Sequence, residues 1–296
     1  MIRIELDVQL NYLVDAQGAD FVFHIHAAQT PQQHLAHERL LLSQPVTPQV
    51  HTDSSTGTRA MTLRALPGPL NLSYQVTVDL LHHATDPAAL GEVPLHQLPP
   101  QVMPYIYPSR YCPSDRLLRL AAQLFGHLPH GHSRVQAIQD WVGQQVCFTP
   151  NSSTSTTWAL DTLVDRVGVC RDFSHLMIAL CRALNIPARF ATGTDYGADP
   201  VLGPPDFHAY VEVYLGHRWY IFDPSGTAIP MGFVRFATGH DAADTAFATI
   251  FGGVAAQAPV IRSMALYAPQ QGIVSPQHSP LALSTDDGTD RAPVWH

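Results

Sequence analysis

The first 85 residues of the chain alternate between apolar and polar positions with a period of two. Between Leu6 and Leu10 every second residue is apolar, and the residues between them are Asp7 and Gln9. Successive side chains of a β-strand point to opposite faces, so this alternation is typical of strands with one buried face. Similar runs at residues 59–66 and 70–80 are separated by turn-rich segments. The pattern predicts an antiparallel β-sandwich domain over residues 1–85.

Two further segments lack a periodic pattern. Prolines are concentrated between residues 86 and 113, and because proline has no backbone N–H, this segment is predicted to be an irregular linker between domains. Residues 269–296 are polar and contain prolines without periodicity, which predicts a loose C-terminal tail. Residues 114–268 are therefore interpreted as a second domain.

Helical periodicity begins in this second domain. One predicted helix starts at Asp115, and another starts at Ser133, which has the spacing of a capping box with Gln136. A third covers residues 159–167 and is predicted to end at Gly168 in the left-handed conformation.

The most regular helical pattern starts at Cys170. Its apolar residues recur at the spacing of one helix face: Phe173, Leu176, Met177, Leu180 and Leu184. Strands are predicted after it at residues 188–192, 208–215 and 219–223, the last two as a hairpin. Helices and strands in this order predict an α+β fold for the second domain.

Composition restricts the possible functions. With 296 residues, 46% of them hydrophobic, the chain can build two globular cores. A formal net charge of −8 with only 16 Lys and Arg argues against nucleic-acid or anionic-membrane partners. The alternating N-terminus does not resemble a signal peptide, and no apolar run is long enough to span a membrane. Four cysteines without C-x-x-C spacing predict free thiols, so we expect a cytoplasmic protein.

Cys170 combines a reactive residue type with a favourable position. The first turn of a helix directs free N–H groups and the positive end of the helix dipole at a thiol, which favours the thiolate. His208 and Asp223, on the predicted hairpin, can supply a base and a group that orients it. Each residue alone has a structural alternative: a core cysteine, a strand histidine bonded to backbone, or a turn aspartate before Pro224. Their combination predicts a cysteine nucleophile activated by histidine.

The hairpin must satisfy one geometric condition for this chemistry. If its loop consists of residues 216–217, Tyr210 lies opposite Asp223, and His208 lies diagonally on the same face. A loop of three residues would place His208 and Asp223 on opposite faces. Glycine at the first loop position suits a type II′ turn.

Four sequence blocks resemble the transglutaminase-like superfamily. They are GVCRDFSHL at 168–176, LNIPAR at 184–189, DFHAYVEV at 206–213 and WYIFDP at 219–224. The resemblance is to bacterial cysteine proteases of this superfamily that carry an N-terminal β domain, and it implies a papain-like catalytic domain. It also implies that Cys170, His208 and Asp223 form a catalytic triad.

Other residues are weaker candidates. A tryptophan upstream of the cysteine helps to form the oxyanion site in animal transglutaminases, which suggests that role for Trp158, with ordinary packing as the alternative. The backbone N–H of Cys170 is a second candidate donor. His175 lies about 140° around the helix from Cys170, so it is excluded as the base. Pairs such as His24 and His26 lack further ligands at suitable spacing, so neither a metal nor another cofactor is predicted.

Three functions are compatible with the sequence. The leading hypothesis is hydrolysis of a peptide or amide substrate through a thioester on Cys170. In the second, an amine acceptor replaces water, which gives a protein-glutamine or isopeptide transferase. The third is a binding module that keeps the fold without turnover. The sequence does not determine the oligomeric state.

Overall fold

The computed structural model describes residues 1–194, 196–198, 201 and 205–286. Within those residues the α-helices are α1 (Ser114–Phe125), α2 (His132–Gln145), α3 (Ala159–Asp165), α4 (Cys170–Ala183) and α5 (Ala242–Thr245). No helix in this described part is both long and apolar enough to cross a membrane.

The strands fall into an N-terminal group, a central group and a C-terminal group. The N-terminal strands are β1 (Ile2–Val14), β2 (Ala19–Phe23), β3 (Gln33–Leu42), β4 (Gln49–Thr52), β5 (Arg59–Ala65), β6 (Gly68–Leu80) and β7 (His83–Thr85). The central strands are β8 (Cys147–Phe148), β9 (Val167–Gly168), β10 (Ala188–Thr194), β11 (Phe207–Leu215), β12 (Arg218–Phe222) and β13 (Arg235–Gly239). The C-terminal strands are β14 (Ala248–Phe251), β15 (Val254–Ala256), β16 (Val260–Leu266) and β17 (Ala282–Ser284).

Two antiparallel sheets form the N-terminal β-sandwich. One contains β15 and β16 beside β1, followed by β6 and β3, and the other has the order β14–β2–β5–β4. Every second residue of β1 from Ile2 to Val14 is buried, and these side chains share one core with Phe21 and Phe23 of β2. The apolar residues of the predicted alternation therefore form the buried face of the sandwich.

The sandwich is not continuous in the sequence, which corrects the predicted domain boundaries. β14 pairs with β2, while β15 and β16 pair with β1. Residues 248–266 thus complete the N-terminal sheets, although the sequence analysis placed them in the second domain, 114–268. Alternation shows that a strand has one buried face, but it does not identify the distant strand to which it bonds.

The second domain contains a four-stranded sheet with the order β12–β11–β10–β13 and α4 packed against one face. Helices α1, α2 and α3 contact α4. The edge strand β13 joins this sheet to the sandwich, since Val234 and Phe236 lie in the sandwich core and the Gln33 amide donates to the Arg235 carbonyl at 2.9 Å. The α+β class and the papain-like order of elements are confirmed.

The proline-rich segment 86–113 is more ordered than predicted. It contains short 3₁₀ turns at residues 87–89, 95–97 and 103–106. Val93, Leu98 and Val102 are buried against Trp219 on the sheet. Proline excludes long helices and central strands but permits 3₁₀ turns. The segment therefore packs against the second domain as a series of short turns.

The C-terminal segment also departs from the prediction of a loose tail. β17 pairs with β7, and the Thr285 hydroxyl donates to the buried Glu212 carboxylate at 3.3 Å. Residues 269–286 are therefore held against the rest of the chain. The last part of the predicted tail, residues 287–296, lies outside the described residues.

Two details of local structure differ from the prediction. The hairpin loop has the predicted two residues, 216–217, but both φ angles are positive, at +53° and +65°, which gives a type I′ rather than a type II′ turn. Helix α2 begins one residue before Ser133, and its N-cap is Gly131. The predicted capping box at Ser133 is therefore not formed.

Candidate active site

The start of α4 is held by the residues just before it. Helix α3 ends at Asp165, and its left-handed C-cap is Arg166, with a φ of +57°, so the predicted left-handed end at Gly168 is wrong. Gly168 lies instead in β9, where a Cβ atom would be 2.8 Å from the Cβ of Asp172. The Asp172 carboxylate accepts a hydrogen bond from the Val169 N–H at 2.9 Å. These contacts place Cys170 in the first turn of α4, as predicted.

Arg171 ties a neighbouring loop to this helix start. Its guanidinium donates to the Asp172 carboxylate at 3.0 Å, to the Ser153 hydroxyl at 3.0 Å and to the Thr154 carbonyl at 2.8 Å. The Asp172 side chain is fully buried, so the ion pair is shielded on one side. Arg171 therefore fixes the Ser- and Thr-rich loop beside Cys170.

The β11–β12 hairpin brings the other two predicted site residues together. Leu215 pairs with Arg218, and the register continues to Val211 and Phe222. One step further along this register, Tyr210 of β11 is the residue opposite Asp223, which directly follows β12. The His208 Nε2 lies 3.3 Å from the Asp223 Oδ1. The even loop length on which the prediction depended is thus present.

His208 interacts electrostatically with both Asp223 and Cys170. Both the His208 and Asp223 side chains are 4% exposed, while Cys170 is half-buried. Burial alone would lower the pKa of His208, but the charges of Asp223 and Cys170 outweigh it and raise the pKa well above its ordinary value. The imidazolium is therefore the favoured form of this side chain next to the thiol.

The Asp223 carboxylate is wrapped by the loop that follows it. Its Oδ1 accepts from the Ser225 N–H at 3.1 Å and from the Ser225 hydroxyl at 2.6 Å. Its Oδ2 accepts from the Ala228 N–H at 3.2 Å. Burial raises the pKa of Asp223, but the His208 charge and these donors outweigh burial and lower it. The carboxylate is thereby kept ionised although it is almost fully buried.

These donors to Asp223 were not anticipated from the sequence. The only available signal was the Asp-Pro-Ser spacing, since an aspartate often bonds the backbone two residues later in a turn. Tyr210 was also given no role, yet its ring packs edge-on against His208 with centroids 4.4 Å apart. Phe233 packs against Tyr210 in turn, with centroids 3.9 Å apart.

The chain resembles known proteins across both domains. The family model of the transglutaminase-like superfamily matches residues 119–224. A solved structure named “Putative Cysteine Protease from Cytophaga hutchinsonii” is 36% identical, with a TM-score of 0.87, and the match covers 96% of this chain and 97% of the other. The chain belongs to the transglutaminase-like superfamily. The family model spans Cys170, His208 and Asp223. The match to the Cytophaga structure also includes the β-sandwich.

A second relative extends the comparison to another bacterium. It is the “Uncharacterized protein ML0607” of Mycobacterium leprae (strain TN), which is 25% identical over 146 residues. That match covers 48% of this chain and 52% of the relative, so the chain spans about half the length of the curated protein. The superfamily and the Cytophaga relative support a cysteine-dependent enzyme.

The two weaker candidates, Trp158 and His175, lie on different helices, at the start of α3 and within α4. Trp158 is the N-cap of α3, where its backbone N–H donates to Asp161 at 3.2 Å. His175 is buried beside Tyr111 with ring centroids 5.0 Å apart, and its Nε2 accepts from the Ala242 N–H at 3.2 Å. It thus lies away from the thiol, as the helical geometry predicted. Among residues 1–194, 196–198, 201 and 205–286, no group of three or more His, Cys, Asp or Glu is placed to hold a metal ion.

Proposed function

We propose that this protein hydrolyses a peptide or amide bond through a thioester on Cys170. The observation that carries the proposal is that the buried His208 lies 3.3 Å from the Asp223 carboxylate and also interacts with Cys170, which begins α4. The thiolate attacks the carbonyl carbon, and the His208 imidazolium protonates the leaving amine. Water then attacks the thioester and gives one proton to His208, so the carboxylic acid is released and Cys170 and His208 return to the thiolate and the imidazolium.

Asp223 acts on this reaction through His208. Because the carboxylate is ionised and held by its loop, it stabilises the imidazolium and fixes the orientation of the ring. It need not exchange a proton itself. The pKa of His208, raised by Asp223 and Cys170 against burial, keeps the acid available for the leaving amine.

The oxyanion of the tetrahedral intermediate requires donors near the thiol. The first N–H groups of a helix have no acceptor within the helix, and Cys170 is the first residue of α4. We assign its backbone N–H as one donor. Trp158 is proposed as the second. The change Trp158→Phe should lower kcat while KM stays near that of the parent, and an unchanged kcat would exclude the role.

Intact-mass screening tests the proposed reaction. The protein is incubated with peptide and isopeptide libraries, with and without an added primary amine, and Cys170→Ala serves as the control. Cleavage that needs no amine and is absent in the control supports hydrolysis. Products that appear only with the amine would show a transferase instead. A Cys170 that gives neither product, and that alkylates no faster than exposed Cys147, would favour a binding module.

We also propose that the protein works in the cytoplasm. All four cysteines are free, and Cys147 is exposed, a state that a reducing compartment maintains. The proposed nucleophile requires the same reduced state. Subcellular fractionation followed by thiol labelling of the native protein tests this, and recovery in an oxidising compartment would contradict it.

A further inference from the structure

The loop from Asp223 to Ala228 places a hydroxyl group on the carboxylate of the proposed triad. We propose that Ser225 is a positioning residue of this site, whose hydroxyl holds the Asp223 carboxylate in the orientation that serves His208. This inference rests on the proposed function. Within the described residues the Ser225 side chain hydrogen-bonds to Asp223 and Thr227, so it acts on His208 through Asp223.

The contact distances support this assignment. The Ser225 Oγ lies 2.6 Å from the Asp223 Oδ1, whereas the His208 Nε2 lies 3.3 Å from the same oxygen. Donors to a charged acceptor form short, strong hydrogen bonds. Oδ1 is therefore shared between the imidazole and the hydroxyl, and the hydroxyl is the closer of the two. The angle at which the carboxylate meets the ring depends on both donors.

The Ser225 hydroxyl is itself held by the same loop. Its Oγ lies 3.0 Å from the Thr227 Oγ1, so while Ser225 donates to Asp223, the Thr227 hydroxyl is left to donate to Ser225. The loop turns tightly at Gly226, with φ of +63° and a hydrogen bond from its N–H to the Asp223 carbonyl at 3.2 Å. A left-handed residue at this point lets the chain fold back onto the carboxylate.

Loss of the hydroxyl has two separable consequences. The carboxylate loses one restraint on its rotation, so productive alignment of His208 becomes less frequent and kcat falls. The carboxylate also loses a donor that draws charge away from Oδ1, so it attracts the imidazolium more strongly. His208 should then hold its proton to higher pH. This direction is opposite to that expected when Asp223 itself is removed.

Other titratable groups surround His208 and Asp223, and none of these groups is changed in any of the variants. Cys170 faces His208 from α4, and Asp206 and Tyr210 flank it on the β11 side. Across a cavity of about 290 Å³ that borders Asp223 lie His132 of α2 and His278 of the C-terminal segment. A difference between variants at position 225 therefore reports on the hydroxyl.

A substrate-free experiment can measure this effect. Cys170 is alkylated with iodoacetate and with neutral iodoacetamide across pH, and peptide mass mapping separates its rate from that of exposed Cys147. The anionic reagent is attracted while the neighbouring imidazolium keeps its proton, so its excess rate falls at alkaline pH as His208 deprotonates. The variants are Ser225→Ala, which removes the hydroxyl, and Ser225→Thr, the matched control that keeps it.

We expect the alkaline fall of the iodoacetate rate to move to higher pH in Ser225→Ala and to stay at the parent position in Ser225→Thr. On an amide substrate kcat should drop by about 10- to 100-fold in Ser225→Ala with little change in KM, as expected for loss of one hydrogen bond to a charged group. Circular dichroism and the urea midpoint show whether each variant is folded.

Two results separate the failure of this inference from the failure of the proposed function. If the parent shows the pH-dependent excess of iodoacetate over iodoacetamide but Ser225→Ala has the same profile, Ser225 does not position Asp223. A shift to lower pH in a folded Ser225→Ala would also overturn the inference. If the parent itself shows no excess, the imidazolium does not accompany the thiolate, and the proposed function fails first.

Discussion

Replacing Asp223 tests the electrostatic core of the site, and the structure allows its two effects to be separated. The carboxylate accepts from the Ser225 N–H and hydroxyl, the Ala228 N–H and the His208 ring. Asp223→Ala leaves these buried groups without their acceptor, which costs about 1–3 kcal/mol for each one that water cannot reach. Asp223→Asn keeps one oxygen acceptor at nearly the same shape. We therefore expect the asparagine variant to lose less stability than the alanine variant.

The activity of Asp223→Asn should fall much further than its stability. The neutral amide cannot stabilise the His208 imidazolium and can hold the ring in the wrong tautomer, a change that costs on the order of 10⁴-fold in kcat for a comparable triad. Some activity should remain, because the proposed nucleophile Cys170 and its backbone N–H are untouched. Since Asp223 raises the pKa of His208 against burial, its loss should lower that pKa. The alkaline limb of kcat/KM should then move to lower pH.

The assay combines kcat/KM as a function of pH with urea unfolding of the parent and both variants. The expected result is a large loss of activity in Asp223→Asn at a modest change in the free energy of unfolding, together with a shifted alkaline limb. His208→Ala provides the control in which that limb disappears. An asparagine variant with the parent's rate and pH profile would refute the assigned role of Asp223. A loss of activity fully explained by unfolding would refute it as well.

Three further predictions concern the nucleophile, the buried charges and the helix start. Cys170→Ala should abolish turnover while the urea midpoint changes little, and measurable turnover would refute the nucleophile. Burial raises the pKa of Glu212, but the charges of Arg189 and Arg235 outweigh burial and lower the pKa. The contribution of the Glu212 carboxylate to stability is therefore present above the ordinary carboxyl pKa and is lost as pH falls through the lowered pKa. Glu212→Gln should therefore cost about 3–5 kcal/mol at neutral pH, with a smaller difference in acid, and equal urea midpoints at neutral pH would contradict this. Gly168→Ala should slow alkylation of Cys170, because its Cβ would lie 2.8 Å from the Asp172 Cβ, and an unchanged rate would mean that the helix start adapts.

Much of the secondary structure of the second domain can be predicted from local sequence patterns. Helix α4 begins at Cys170 as expected, because its apolar residues recur at helical spacing and Pro187 limits its end. The hairpin register follows from a two-residue loop, since strand side chains alternate strictly. These two elements carry Cys170 and His208, so the candidate site could be located from short-range patterns alone.

The surroundings of the site depend on contacts between residues far apart in the chain. Residues 248–266 close the N-terminal sheets, residues 93–102 pack on the second domain, and residues 282–286 bind at its side. Hydrophobic periodicity indicates that one face of a strand or helix is buried. The free energy of burying that face depends on which distant segment covers it. The sequence by itself thus determined the candidate site residues and the elements that carry them, while the tertiary structure decided which distant strands and segments pack around them, because burial depends on contacts that local patterns do not specify.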